Sequence, residues 1–462
     1  MKQRDPWPQV AALCWNWMRT RSAYPTRLQV YTLACCTWLS GTVVTLCHAE
    51  TRPVHKPASV HQQHHSAHNI VAAQKPVVAS NQALNHAVVQ PMAQTGAAEA
   101  RLLDIYRLIG RYDTRTALER AERLVSDYPS FALAQLVYGD LLSSRMRSVT
   151  RFGDVPADQL KGNASTLSAL RSESEARIKA LRERPPAGFV PTEFVLLSRA
   201  NKHAIAVDAS RSRLYLFENR DSGVTLIADY YISVGKLGVE KSAEGDQRTP
   251  LGVYFITSQL DPKTLKDFYG AGALPINYPN VLDIRRGKTG GGIWLHGTPP
   301  DQFSRPPQAS DGCVVLANPD LQRIIQTVAI RSTPVVIANQ LTWVPQDKVR
   351  SRATPFEERL SAWREAKSSG DLMKLNTFYA SDLPADAKNK DDWQSKLARE
   401  VAQVHGRELQ IKDLSLLQWQ DKEDTMVVTF GEVITGQRTG ATIRQYWSRR
   451  AGQWTIFYEG DI

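Results

Sequence analysis

The chain has 462 residues, 42% hydrophobic and 22% charged, and a net charge of +11. That length allows roughly two to four domains, and the composition is that of a globular protein, not a fibrous or low-complexity one. Residues 1–49 hold +4 of the charge. The +7 that remains is spread out, with no dense Lys/Arg tract of the nucleic-acid type. It reads as solubility, or as suited to an anionic surface or a carboxylate-bearing substrate.

In chain order, Lys2, Arg4, Arg19, Arg21 and Arg27 precede the uncharged run 28-LQVYTLACCTWLSGTVVTLCHA-49, which closes on the small-x-small site Cys47-His48-Ala49. This predicts a signal peptide over 1–49, cleaved after Ala49. The alternative is an uncleaved inner-membrane anchor through 28–49, since the run is near bilayer-spanning length. Both export the rest of the chain to the periplasm. Residues 50–98 read as a flexible linker rich in His, Ala, Gln and Pro. Six of the ten histidines lie there (His55, His61, His64, His65, His68 and His86). They lack the cysteines and regular spacing of a metal site.

Residues 99–187 read as a helical segment. Leu118, Ala121, Leu124 and Val125 repeat at helical spacing, Tyr128-Pro129 breaks the pattern, and Ala132, Leu136 and Leu141 resume it. The pattern resembles one tetratricopeptide-like hairpin, and a further helix over 164–183 stops at Pro185-Pro186. A spacer and a partner-docking module both fit. From 192 the period changes. Residues 204–219 alternate around a turn at Ala209-Ser210, and strands are expected over 225–234, 251–257, 292–296, 313–316 and 334–338. This predicts a mostly-β domain over 192–345. Residues 355–462 give helices (356–367, 370–379 and 391–404) and then four strands (408–419, 425–436, 441–449 and 453–459). That order predicts an α+β domain and resembles the nuclear-transport-factor-like cone. Trp419, Trp447 and Trp454 read as core or rim aromatics there.

Beyond the leader one cysteine remains, Cys313, in 308-QASDGCVVLAN-318. An intramolecular disulfide is then impossible, and an unpaired thiol in an oxidising compartment calls for a reason, although a buried structural cysteine stays open. A nucleophilic thiol needs a base or cation beside it. After residue 100 the histidines are His203, His296 and His405. His296 ends the apolar strand of 292-GIWLHGTPP-300, and the interval to Cys313 is long enough for a loop back to the strand's end. Gly312 is expected to let the backbone approach a substrate closely, and amides around Cys313 to form an oxyanion hole.

His-Gly followed by Ser-x-Gly-Cys resembles the signature of the L,D-transpeptidase (YkuD, or ErfK/YbiS) catalytic domain. Residues 249-TPLGVYFI-256 and the hairpin AVDASRSRLYLFEN resemble two further segments of that family. The segment 268-FYGAGALPINYPN-280 and the cone-like domain resemble the branch with the cell-shape-determining L,D-carboxypeptidases. The resemblance implies Cys313 as nucleophile, His296 as base and the Gly297 carbonyl as the group orienting the imidazole. It implies Ser310 and Gly312 as shaping the oxyanion site, and with Asp311 and Tyr278 these make up the expected substrate-binding set. The implied reaction is attack on the carbonyl between diaminopimelate and D-Ala in a tetrapeptide stem. An amine then resolves the thioester to a crosslink, or water resolves it to a tripeptide. Two departures stand out. Asp311 replaces the His that usually precedes Gly-Cys, and Val315 stands where Arg is common. Asp311 disfavours the thiolate, or binds an ammonium group of the substrate.

Hydrolysis of a protein–diaminopimelate link, and a non-catalytic wall-binding protein, stay open beside that reading. No Cys-x-x-Cys pair, His-Glu-x-x-His motif or phosphate-binding Gly-rich loop occurs in the folded part. The expected partners are peptidoglycan stem peptides, not nucleic acid, with no metal and no cofactor. A protein partner or self-association through the helical and C-terminal domains stays open.

Overall fold

The computed structural model describes residues 94–154, 162–381, 383, 390–404 and 406–462. The expected leader, the expected linker up to residue 93 and His405 lie outside them. No described helix is long and apolar enough to cross a membrane.

The end of the expected linker is already structured. Strand β1 (Gln94–Thr95) pairs with Ala228–Asp229, and helix α1 (Ala97–Gly110) follows at once. Helix α2 (Thr114–Asp127) starts where the Asp113 carboxylate accepts from the Thr116 amide, a side-chain N-cap. Helices α3 (Ala132–Ser144) and α4 (Ala164–Arg182) complete the segment. The predicted positions Ala121, Leu124, Leu136 and Leu141 are buried in one cluster. That cluster also takes Phe303 and Ala317 from the β-domain, so the apolar face of the helices is covered by the body of the protein.

A buried ionic group joins the same two parts. Glu99 sits between Arg177 (3.0 Å) and Arg213 (2.7 Å), Arg213 reaches Asp229 (3.2 Å), and Arg177 reaches Glu173 (2.6 Å). Burial alone would raise Glu99, but the two guanidiniums overcome it and hold the carboxyl below its ordinary value. Removing one member would strand a buried charge, which costs about 3–5 kcal/mol.

Strands β2 (Phe189–Pro191) and β3 (Phe194–Leu196) lead into the β-domain. There β4 (His203–Asp208) and β5 (Arg213–Arg220) form the predicted hairpin. Asp208 closes its turn by accepting from the Arg211 amide and the Ser210 hydroxyl. Strands β6 (Gly223–Gly235), β7 (Gly252–Phe255), β8 (Ala273–Pro275), β9 (Trp294–His296), β10 (Gln308–Ser310), β11 (Val314–Leu316) and β12 (Pro334–Ala338) follow. The sheet path is β7-β12-β4-β5-β6-β11-β9-β8, with β1 and β10 also on β6. The hairpin does not present one solvated face. Ile205, Val207, Leu214 and Leu216 enter one core, while Ala204, Ala206, Tyr215 and Phe217 enter another. Both faces are covered, which turns the expected alternation into nearly continuous burial.

Helix α5 (Val281–Arg285) lies between β8 and β9, and α6 (Asn318–Thr327) follows β11. Strand β13 (Trp343–Pro345) pairs with β2, and α7 (Gln346–Arg350) opens the last block. There α8 (Thr354–Ser369), α9 (Leu372–Asn376) and α10 (Lys390–Val404) precede β14 (Leu409–Gln420), β15 (Asp424–Ile434), β16 (Ala441–Arg450) and β17 (Gln453–Asp461). These four pair in antiparallel order, and β3 joins them at β14 through Leu196 and Phe194. Trp363 and Trp447 are fully buried there, and Trp419 nearly so.

Candidate active site

Cys313 and His296 come together through strand register. Strands β9 and β11 run parallel, with Val314 opposite Leu295 and Val315 opposite His296. Ile293, Leu295, Val314 and Leu316 point into the core. Alternation then sends Trp294, His296, Cys313 and Val315 to the other face. The thiol is half-buried and directs its Sγ to the Gly292 carbonyl at 3.4 Å.

His296 is 1% exposed, and its Nδ1 lies 2.7 Å from the Gly297 carbonyl oxygen. A carbonyl only accepts, so Nδ1 carries the hydrogen and Nε2 keeps its lone pair. The ring is walled by Tyr269 (5.1 Å, edge-on) and Phe268 (5.8 Å). Burial pushes the imidazole down to about 4, the Arg305 charge adds to this, and the Gly297 carbonyl opposes it. Burial pushes the thiol up to about 11. The Trp294 amide, Arg305 and Lys241 oppose that shift, and Asp311 adds to it. Both groups are therefore neutral near pH 7.

The glycine of the His-Gly pair has a steric cause. A Cβ at Gly297 would overlap Asn318 Oδ1. Asn318 accepts from the Ala271 amide (2.8 Å) and the Thr298 amide (3.2 Å), and its Nδ2 donates to the Thr298 carbonyl (2.8 Å). It ties the turn after His296 to the end of β11. Asn318 closes the stretch that carries Cys313, yet only the folded turn shows its task.

The expected substrate-binding set divides. Ser310 is buried. Its hydroxyl donates to the Cys313 carbonyl (2.6 Å) and accepts from the Gly312 amide (3.1 Å), so it shapes the turn under the thiol. Gly312 departs from expectation. Its φ is +125°, and a Cβ would meet the Arg248 carbonyl at 2.8 Å, so the close approach is to the protein's own backbone. Its amide is spent on Ser310, which removes it as an oxyanion donor. Tyr278 also departs. It is 5% exposed within the core, and its hydroxyl donates to the Thr289 carbonyl (3.1 Å). Asp311 is exposed and holds the Lys236 ammonium at 2.9 Å, with Gln247 at 3.2 Å.

Three further elements support the site, and the sequence assigns none of them a role there. The loop from 297 to 307 is clamped by the helical segment. Phe303 stacks on Phe131, its amide donates to the Ser130 carbonyl (3.1 Å), and Ser304 donates to Glu173 (2.7 Å). The aromatic pair Phe268 and Tyr269 walls the imidazole. Arg305, 8% exposed, lies over the Phe268 ring at 4.4 Å. Among the described residues no group of three or more His, Cys, Asp or Glu could hold a metal ion.

This architecture matches known domains. Residues 202–337 match the L,D-transpeptidase catalytic domain (YkuD), and residues 356–460 match the Cds6 C-terminal NTF2-like domain. The chain thus carries an L,D-transpeptidase catalytic domain followed by an NTF2-like domain. Among solved structures it is similar to Bd1075 of Bdellovibrio bacteriovorus, with 24% identity and a TM-score of 0.51 over 59% of this chain and 98% of that one. It is also similar to the helical cell shape determining protein Pgp2 of Campylobacter jejuni, with 21% identity and a TM-score of 0.47 over 63% of this chain and 99% of that one. No curated protein matches.

Proposed function

We propose that the protein is an exported cysteine acyl-transfer enzyme acting on peptidoglycan stem peptides. The observation that carries this is the imidazole held by the Gly297 carbonyl on the strand beside Cys313, within a domain that matches the L,D-transpeptidase family. Cys313 gives its proton to His296 Nε2, and the sulfur attacks the carbonyl between diaminopimelate and D-Ala. The imidazolium returns that proton to the amine of D-Ala as the C–N bond breaks, leaving a thioester on Cys313. Water resolves it to a tripeptide, or an amine from a second stem resolves it to a crosslink.

The low basicity of His296 and the raised thiol favour a neutral resting pair. Proton transfer to His296 is then coupled to attack on the substrate carbonyl, so that the negative charge passes from sulfur to the developing oxyanion. Asp311 serves as an ammonium site at the rim, where it already holds Lys236. Residues 1–49 act as leader or anchor and place the enzyme in the periplasm, where the stems lie. The catalytic unit is 192–345, flanked by the helical segment 99–187 and the α+β domain 355–462.

The test is incubation of the purified protein with a disaccharide-tetrapeptide, with and without an added D-amino acid, and product analysis by mass. A tripeptide that forms regardless of amine marks a carboxypeptidase. D-amino-acid exchange or dimers mark a transpeptidase. Absence of any product that Cys313→Ala abolishes would sink the proposal on this substrate.

A further inference from the structure

Arg305 is a cation that forms no ion pair among the described residues. It lies in the loop between His296 and Cys313 and is 8% exposed. Among the described residues its guanidinium has no hydrogen-bond or ion-pair partner; its contact is the face of Phe268, 4.4 Å away. The Phe268 ring is 44% exposed and reaches the His296 ring at 5.8 Å, so guanidinium, aromatic face and imidazole form one wall. The charge is close enough to act on Cys313, His296 and Asp311 alike. Asp311 favours that charge from beyond ion-pair distance, while its own carboxylate is hydrogen-bonded by Lys236 and Gln247 at the rim.

The backbone of Arg305 is fixed from behind. The Tyr231 hydroxyl donates to its carbonyl at 2.8 Å, and the Tyr231 ring is itself covered by Arg177 at 3.9 Å. A guanidinium stays charged even when desolvated, and its fork of donors matches a carboxylate. A largely enclosed cation, held in place with donors that face solvent instead of a protein acceptor, has the chemistry of an anion site.

We propose that Arg305 binds the free C-terminal carboxylate of the residue that leaves, and so makes the enzyme selective for stems ending in an unblocked D-amino acid. This rests on the reaction proposed above. In that substrate the carboxylate lies three covalent bonds beyond the attacked carbonyl carbon, and a cation beside the thiol and imidazole is suitably placed. Arg305 also answers a gap on the strand itself, since Val315, opposite His296, offers no charge to this face.

The test has two arms, each run on wild type, Arg305→Gln and Arg305→Lys, with a thermal melt to confirm folding. In the first, Cys313 is alkylated by iodoacetate and by iodoacetamide at about pH 9, and the ratio of the two rates is read. Arg305→Gln should lower the anion preference by about tenfold, and Arg305→Lys should keep part of it. An unchanged ratio would overturn the anion site. In the second, a tetrapeptide acid is compared with its C-terminal carboxamide. Arg305→Gln should raise KM for the acid by about tenfold and leave the amide unaffected. Equal losses on both would overturn carboxylate recognition. If wild type turns over neither, the reaction proposed above fails, and the alkylation ratio still decides whether Arg305 is an anion site.

Discussion

Phe303 of the active-site loop stacks on Phe131 of the helical segment, with ring centroids 4.1 Å apart and planes 27° from parallel. Tyr128 meets the same ring edge-on at 5.4 Å. The helices are therefore part of the site's support, because Phe303 lies two residues before Arg305 on the loop that returns the chain to Cys313. Phe131→Ala, a change outside the cleft, should cost about 3 kcal/mol of stability. It should also lower kcat/KM by about tenfold through the loosened loop. A cycle with Phe303→Ala, read by urea unfolding, should give a coupling of about 1 kcal/mol. Additive losses would show that the stacking carries no energy of its own.

The thiol is raised by burial first and by the Asp311 carboxylate as well. Alkylation of Cys313 by a neutral reagent should therefore climb through the alkaline range toward about 11, with no plateau near neutrality. Asp311→Asn removes the charge that disfavours the thiolate. Its profile should shift to lower pH, with labelling severalfold faster at a fixed pH. A shift to higher pH would mean that loss of the Lys236 pair outweighs loss of the charge.

Gly297 should tolerate no side chain. Gly297→Ala forces a methyl onto Asn318 Oδ1 and close to the Ala271 amide. We expect a loss of about 1–3 kcal/mol and of nearly all activity, because the His296 carbonyl partner moves with it. Asn318→Gly clears the space. The double variant should regain stability relative to Gly297→Ala alone, as read by thermal melts.

Asp140 supplies a pH dependence away from the site. It is 4% exposed, and burial pushes it up to about 9 from an ordinary value of 3.8, with the Gly153 amide opposing. Between those values the folded state keeps a proton that the unfolded state has lost. Stability is then fullest below 3.8, falls as pH rises and levels off above about 9. Asp140→Asn abolishes that loss, so its advantage in stability should grow steadily from pH 5 to pH 9, read as a widening gap in Tm. A constant difference across that range would contradict the assignment.

The legible part of the site follows from scarcity and period. One late thiol and three late histidines direct attention to Cys313 and His296, and the register of β9 and β11 puts both on one face. The four C-terminal strands fall within a few residues of their expected bounds because each is long and bounded by turn residues. The illegible part depends on contacts between distant segments. Arg305 and Phe303 sit in a Pro/Gln-rich loop with no periodicity to read. Asn318 looks like an ordinary helix start until the turn after His296 folds onto it. Tyr278 and Gly312 suit substrate contact as residue types, yet the fold spends both on its own backbone.

Strand β3 carries a consequence for how the chain is made. Leu196 lies alongside Ser415, whose hydroxyl donates to its carbonyl at 3.3 Å across 219 positions of sequence. The apolar face of Ala204, Ala206, Tyr215 and Phe217 belongs to the same core as Leu416, Met426 and Trp447. A chain emerging from the ribosome therefore delivers Cys313 before it owns the strands that cover the Ala204, Ala206, Tyr215 and Phe217 face of the β4–β5 hairpin. A product truncated before residue 409 would expose that apolar face and become a substrate for quality-control proteases, so premature release would not yield a shortened but working thiol enzyme.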